Sequence, residues 1–525
     1  MKTSETKQIP AKGLLGLKQY WKTDITSGLL VFLLALPLSL GIAKASGFPP
    51  AMGVLTAMVG GIVTSLFKNV SELTIKGPAA GLITVCAGAV AELGSWHYVS
   101  AMVVIVGVIQ IILSYLKVAS LSDIFPISAI EGMLAAIGII IIAKQIPVLL
   151  GDEPSLYKGE KPLELFADIP KFIAHEHLHV AIIGGIALAL MFILPMIKVN
   201  WLKKIPAPMI VLIATIPLSI MWHIKNTDGG YTVVEIGDFW GNFGINADFS
   251  KIATPTFWKY VLMFLFVNSL ESLLTVKAVD QLDPYKRETD YNGDYRSLGA
   301  GNMVSGILGG LPMISEVVRS SANVNYNAKT KWSNFFHGIF LLISMLLFIP
   351  FIEMIPNAAL AAMLIYAGYK LANPKTFTHM IQIGWEQLVI FIATIIVTLI
   401  EDLLLGIGVG IILKIIFHLV RGAKFGELFK AKYELNKSNA EEKIIVEGVA
   451  VFTNLMGYKK LLESFDKTKK VIVDFSKCKL IDHSFLSFIH HVGMKFEENG
   501  GDIQLVGLDN HKQVAHDKLS ARVLK

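Results

Sequence analysis

Hydrophobic runs of membrane-spanning length recur along the first four-fifths of the chain, separated by short polar turns. A helix needs roughly 17–25 mostly apolar residues to cross a bilayer. The runs lie at 25–45, 49–67, 78–93, 98–116, 127–150, 179–196, 206–223, 257–279, 297–310, 315–326, 333–350, 354–371, 386–400 and 403–420, two of them short. The pattern predicts an α-helical polytopic membrane protein with fourteen spans. An even number puts both termini on one side. Loop charges agree: "KVNWLKK" (198–204) has three lysines and no acid, and "RGAKFGELFKAK" after the last span is strongly basic. The loops 151–178 and 224–256 carry more acids than lysines and fall on the other side. Lysine and arginine collect in cytoplasmic loops, so both termini are expected in the cytoplasm.

The period changes after residue 421. A strand pattern at 444–453 leads to a helix near 455–465, a buried strand "KVIVDFS", a helix at 484–497 and a strand "DIQLVGL". Alternating strands and helices predict a small α/β domain over 443–525. Residues 421–442, including "ELNKSNAEEK", read as a linker. The first 24 residues read as a polar, basic cytoplasmic segment without the apolar core and cleavage site of a signal peptide. The transport domain is thus expected at 25–420.

Composition supports this picture. The chain is 53% hydrophobic and 17% charged, against about 25% charged in a typical soluble protein. The net charge of +6 fits basic cytoplasmic loops and calls for no nucleic acid. Two cysteines give no disulfide framework. No GxxxxGK[ST] loop occurs, so any transport would run without ATP. No nucleophile or metal set accompanies the carboxylates, which argues against an enzyme. The groups His483, His490, His491 and His175, His177, His179 have no cysteine at ligand spacing.

Two stretches interrupt the apolar pattern at matching positions. "LTIKGPAAG" (73–81) leads into the third span, and "LPMISEVVRSSANVNY" (311–326) forms the third span of the second half. With seven spans per half, the halves (about 25–223 and 257–420) have opposite membrane orientation. Interrupted segments at matching positions of inverted repeats mark transporter binding sites. Pro78 is expected at the first helical position, where its missing N–H costs nothing. The amides of Ala79, Ala80 and Gly81 then lack intrahelical partners. A second helix is expected to start near Ser315. Two such ends, each with about half a positive charge, would form an anion cradle. A plain Gly–Pro kink in a packed helix is the alternative, and the matched pair argues against it.

Charged residues within the spans are functional candidates by default. Glu271 lies inside the eighth span, with Thr275 one turn on along the same face and Ser272 on another. Lys277, nearer the cytoplasmic end, reads as a snorkelling cation. Glu316 and Arg319 are spaced to pair on one helix face. A bare Glu316 carboxylate would repel an anion, so it must be protonated, paired with Arg319 or Lys76, or turned away. Lys76 itself has three open roles: substrate contact, partner of a glutamate, or snorkelling cation.

The segments "DITSGLLVFLLALPLSLGIAKASG", "LTIKGPAAG", "ESLLTVKAVDQLDP", "YRSLGAGNMVSGILGGLP" and "RSSANVN" together resemble the SulP, or sulfate permease, family of anion transporters. The C-terminal domain resembles a STAS domain. The resemblance implies two intertwined seven-helix repeats, with a core of spans 1–4 and 8–11 and a gate of spans 5–7 and 12–14. It implies dimers, a cell (inner) membrane location, and small inorganic anions or dicarboxylates as substrates. The site would lie between spans 3 and 10, with spans 1 and 8 contributing. That carries Ser39, Thr74, Lys76, Gly77, Pro78, Ala79, Ala80, Gly81, Ile314, Ser315, Glu316 and Arg319 as substrate-binding candidates. Glu271 and Thr275 are similar to the sodium-coupling pair of cyanobacterial bicarbonate transporters, so Na+ is a possible coupling ion and no other cofactor is implied. Pro37-Leu38-Ser39 replaces the proline–glutamine of sulfate-type members and is closer to bicarbonate-type ones. Glu316 departs from the usual small or hydroxyl residues and is similar to the tenth-span acid of nucleobase transporters. In the loop "LIDHSFLSF" (480–488) His483 intervenes between Asp482 and Ser484 and no glycine follows, which favours docking over a phosphorylation switch. Three readings follow: cation-coupled anion transport by an elevator-like shift, transport of a nucleobase-like substrate, and a non-transporting sensor or scaffold.

Overall fold

The computed structural model describes residues 9–117, 126–152, 160–174, 177–197, 205–224, 232–241, 243–401, 403–437 and 442–525. These form two compact units: 1–119 with 137–371, and 120–136 with 372–525. The lysine-rich "KVNWLKK", His175 and part of each long acidic loop lie outside the described residues.

The main helices of the apolar region are α1 (Gly13–Ala45), α2 (Pro50–Ser65), α3 (Ile83–Leu93), α4 (Trp96–Tyr115), α5 (Ile127–Leu150), α6 (Leu178–Ile193), α7 (Ala207–Met221), α8 (Pro255–Leu282), α9 (Tyr291–Ile307), α10 (Val317–Asn325), α11 (Trp332–Leu347), α12 (Asn357–Leu371), α13 (Trp385–Ile400) and α14 (Leu403–Val420). Every expected run falls on one of them. Six described helical stretches are long and apolar enough to cross a membrane, and five more are shorter apolar helices. The chain is therefore a multi-pass membrane protein. Helix boundaries follow local chemistry. Ser95 caps α4 by accepting the His97 amide at 3.3 Å, and Gly94 ends α3 at φ 90°. Asp290 caps α9 by accepting the Asn292 and Gly293 amides, each at 3.1 Å. Close helix contacts use small residues, as expected where lipid supplies no hydrophobic drive. A Cβ at Gly107 of α4 would lie 2.5 Å from the Gly299 carbonyl oxygen of α9. A Cβ at Gly61 of α2 would lie 2.6 Å from the Gly338 Cα of α11.

Three expectations are corrected. The polar segment 1–24 is not separate, because α1 starts at Gly13. Asp24 is fully buried within it, and its carboxylate accepts the Lys329 amide at 2.8 Å. Pro78 is not the first residue of a helix. Residues Lys76–Pro78 form strand β1, which pairs antiparallel with β2 (Met313–Ser315) in the register Lys76↔Ser315, Gly77↔Ile314, Pro78↔Met313. Helical structure resumes as a 3-10 turn at Ala80–Leu82 and at Val317, with Glu316 the N-cap of α10. Finally, the expected linker contains strand β3 (Lys432–Lys437), paired antiparallel with β4 (Glu442–Ala450); residues 438–441 of it lie outside the described residues.

The C-terminal domain continues with α15 (Leu455–Glu463), β5 (Lys470–Asp474), β6 (Cys478–Ile481), α16 (His483–Glu498), β7 (Asp502–Val506), β8 (His511–Gln513) and β9 (Arg522–Leu524). The sheet runs β7-β5-β4-β6-β9-β8, with β3 beside β4 and the pairs around β4, β5, β6 and β7 parallel. Inward-facing Ile444, Val446, Val471 and Val473 pack against Tyr458, Leu462, Phe485 and Ile489 of the helices.

Candidate functional site

A strand in the middle of a membrane domain needs every backbone group satisfied. Here two three-residue strands meet that demand with each other and with side chains from surrounding helices. On β1's side, the Ile75 amide donates to Ser320 Oγ at 2.9 Å, and the Lys76 amide to Asn334 Oδ1 at 3.3 Å. Asn323 Nδ2 donates to the Leu73 carbonyl at 2.9 Å. On β2's side, Asn268 Nδ2 donates to the Met313 carbonyl at 2.7 Å, while the Met313 amide donates to Asn302 Oδ1 at 2.8 Å. Gln110 ties both asparagines together, donating to Asn268 Oδ1 at 2.8 Å and accepting from Asn302 at 2.9 Å. Ser272 Oγ accepts the Ser315 amide at 3.3 Å, so this neighbour of Glu271 also faces β2. The Glu316 amide closes the pair by donating to the Ile75 carbonyl at 2.9 Å.

The charged groups divide sharply. Lys76 is buried and its ammonium lies 2.6 Å from Asp294 Oδ1 at the start of α9. Asp294 also accepts the Ser71 amide at 3.0 Å. Lys76 is thus neutralised by an acid, and not by Glu316. Arg319 is 1% exposed, and none of its three guanidinium nitrogens has a hydrogen-bond partner. It does not pair with Glu316. Its guanidinium fills the space beside Gly77, where any Cβ would collide with it. The Glu271 carboxylate occupies the corresponding space beside Gly81, with one oxygen unpartnered. Glu316 accepts a hydrogen bond from the Ala80 amide and leaves its other oxygen unpartnered. The amide ends of the first element therefore face the chain's own carboxylates. The expected cradle of two bare helix ends is thus occupied in part by the chain's own acids. The reason is the late helix start: α10 begins at Val317, which leaves Glu316 extended and able to reach Ala80.

The other candidates are placed as follows. Ala79, Ile314, Ser315 and Thr74 are buried along the paired segments, and the hydroxyls of Thr74 and Ser315 have no hydrogen-bond partner. Thr275 is buried one turn from Glu271. Ser39 is buried in α1, and its hydroxyl is likewise unpartnered. Its carbonyl packs on Gly53 of α2. Lys277 sits 5.9 Å from the Tyr291 ring centre. His337 is fully buried in α11. Sequence reasoning missed Gln110, Asn268, Asn302, Asn323, Asn334, Asp294 and His337. A lone amide inside an apolar run, as in "VGVIQIILSY", is the signal that would have found several of them.

Among the described residues, no group of three or more His, Cys, Asp and Glu is placed to hold a metal ion. His179 and Trp222 pack with tilted rings 4.9 Å apart between centres, and His483 Nδ1 lies 2.8 Å from the Leu519 carbonyl. Burial pushes the thiol of Cys478 up to about 12.

Residues 21–394 match the family model described as the sulfate permease family. YvdB of Bacillus subtilis, which carries a sulfate transporter's name, is 22% identical over 95% of this chain and 94% of its own. Among solved structures, the transmembrane domain of a cyanobacterium bicarbonate transporter, BicA, superimposes with a TM-score of 0.61 at 19% identity, covering 74% of this chain and 97% of that one. SLC26A9 superimposes with a TM-score of 0.67 at 14% identity, covering 96% of this chain and 86% of that one. At such identities the structural likeness establishes the fold.

Proposed function

This chain belongs to the sulfate permease family, and from that premise we propose that it is a secondary active transporter of small inorganic anions. Bicarbonate is the favoured substrate, with sulfate or a dicarboxylate as alternatives. The observation that carries the reading is the Arg319 guanidinium, buried beside Gly77 with no hydrogen-bond partner. A buried charge is costly unless it is paired. An anion seated between Arg319 and the paired strands supplies the missing partner. Lys76 has its own counter-ion and stays out of the site. Ser315 and Thr74 offer hydroxyls to the anion's oxygens. Val317 and Val318, about half exposed at 49% and 50%, line the approach at the α10 N-terminus.

Two carboxylates accompany one guanidinium here. An anion added to that set needs a cation with it. Glu271, with Thr275 one turn away, is the position for Na+ or H+. Transport then couples the anion to the cation, through an elevator-like shift of the core spans against the gate spans. The fourteen-span inverted repeat, cytoplasmic termini, inner-membrane location and homodimer belong to the same proposal, as does the separate folding of residues 443–525 as a STAS domain. A second reading has a specific observation behind it: the free oxygen of Glu316 suits an N–H donor such as a nucleobase edge.

The test is a substrate panel in proteoliposomes: bicarbonate, sulfate, succinate and uracil, with and without sodium or proton gradients, for wild type and Glu271→Gln. Gradient-stimulated anion uptake that is lost in Glu271→Gln is the expected result. Gradient-independent uptake that survives the substitution removes the coupling role. Uracil uptake alone favours the second reading, and no flux of any substrate leaves a sensor or scaffold.

A further inference from the structure

A second buried polar cluster lies far along the chain from Arg319, in the unit made of residues 120–136 and 372–525. It joins the last apolar helix to the C-terminal domain. Lys414, two turns before the end of α14, is 2% exposed, and its ammonium lies 3.9 Å from Asp482 Oδ2. His418, one turn on, is 3% exposed, with Nε2 3.4 Å from the same oxygen. Asp482 is fully buried. It is already committed within its own domain: Oδ1 accepts the Phe485 amide at 2.7 Å as the cap of α16, and Oδ2 accepts the Phe452 amide at 3.0 Å. Both ring nitrogens of His418 lack a hydrogen-bond partner of good geometry. The other charges nearby are Arg421 and Glu386, which pair with each other at 2.6 Å.

Apolar contacts surround this junction. Ile415 of α14 packs with Leu480, Val449 and Val451 of the sheet. The His418 ring lies 5.7 Å from that of Phe452. Ser484 in the same loop is 5% exposed, and His483 between Asp482 and Ser484 is held by the Leu519 carbonyl. Lys414 and His418 are buried polar groups in an otherwise apolar helix, and Asp482 is the acid within 4 Å of both. A loop acid left facing this helix end without them would be a buried, uncompensated charge.

We propose that the Asp482–Ser484 loop of the C-terminal domain is an internal docking site for the final two turns of α14, with Asp482 receiving Lys414 and His418. Docked, the loop has no free face for a kinase or a partner protein at Ser484. The arrangement does not depend on which anion is carried.

The test uses the full-length protein in nanodiscs. In a double-mutant cycle, Lys414→Met and Asp482→Asn each lower the melting temperature, and the double variant loses clearly less than the sum, since removing both partners leaves no stranded charge. Strictly additive losses overturn the proposal. Because Asp482→Asn also weakens a helix cap, a second measurement stands apart from it. Ser484→Cys is labelled by a charged maleimide much more slowly than the control Lys479→Cys, and adding Lys414→Met speeds the labelling about tenfold. Protection of Ser484→Cys that Lys414→Met leaves unchanged means the loop is closed by its own domain, and the docking role falls. His418→Phe, which keeps the apolar contact and removes the nitrogen near Asp482, is expected to give an intermediate rate.

Discussion

The two interrupted elements have the same plan and opposite ways of handling charge. Each runs from a buried three-residue strand into a helix, and the strands pair with one another. In the first element the only cation, Lys76, is taken away from the strand end by Asp294 at 2.6 Å. What is left there is small: Gly77, Pro78, Ala79, Ala80 and Gly81. In the second element, Arg319 has no hydrogen-bond partner, and Glu316 sits at the N-cap position of α10 without a side-chain capping hydrogen bond. In the proposed site, the first element therefore supplies shape and the second supplies charge. The two elements share a backbone plan, a short buried strand followed by helical structure, and differ in side-chain chemistry.

The sharpest way to break this comparison is to remove each cation in turn. Truncating one member of a desolvated charge pair costs roughly 2–5 kcal/mol. Arg319→Gln is therefore expected to lower kcat/KM for anion uptake by about 100-fold. Lys76→Met with Asp294→Asn removes both members of the other pair, and the anion KM is expected to stay within about twofold, since a pair replaced as a unit can be neutral. Uptake kinetics in proteoliposomes check both. A large KM change in the double variant would make Lys76 a substrate contact and erase the division between the elements.

Shape comes next. A Cβ at Gly81 would overlap the Glu271 carboxylate. Gly81→Ala must displace that acid, and a misplaced functional group can cost about 100-fold; a loss of about 30-fold in uptake is expected, together with loss of the cation-gradient effect. Glu316→Gln keeps an acceptor for the Ala80 amide and removes a negative charge facing the anion. Its expected effect is smaller and of opposite sign, an anion KM lowered about threefold. A raised KM would instead favour a substrate that donates hydrogen bonds to Glu316.

Much of this architecture was legible in the chain, for identifiable reasons. Apolar runs of sufficient length can bury themselves only as helices, so each of them became one. The breaks at 73–81 and 311–316 stood out because glycine, proline and charged residues are expensive in such runs. What stayed hidden was local extension and long-range partnership. A three-residue strand such as Lys76–Pro78 has no period to detect. Strand β3 lies in a segment whose polarity and lack of turns resemble a linker, and Leu14, Leu15 and Trp21 were too few to announce that α1 starts at Gly13. The partner of Lys76 lies 218 residues away in sequence, so the choice among its three roles needed the fold. The same holds for the clamp of Gln110, Asn268 and Asn302, each unremarkable alone. Asn302→Ala strands the Met313 amide and frees Gln110, and is expected to destabilise the protein by about 1–3 kcal/mol, read as a lower melting temperature in detergent.

The smallest effects test whether the site is built for a guest or merely loosely packed. Thr74, Ser315 and Ser39 carry buried hydroxyls without a hydrogen-bond partner. An unsatisfied buried hydroxyl destabilises the empty protein, so its removal without change of shape should stabilise that state or leave it alone. If the same hydroxyl meets the anion when the site is filled, its removal weakens binding by about 0.5–1.5 kcal/mol. Ser315→Ala and Thr74→Val are therefore expected to leave the melting temperature of the empty protein unchanged or slightly raised, while raising the anion KM about three- to fivefold. Ser39, on α1 and packed on α2 rather than along the paired strands, is expected to show the weaker KM effect. Equal losses of stability and affinity in all three would mean that the hydroxyls serve packing, and that charge from the second element acts on the anion without help from the first.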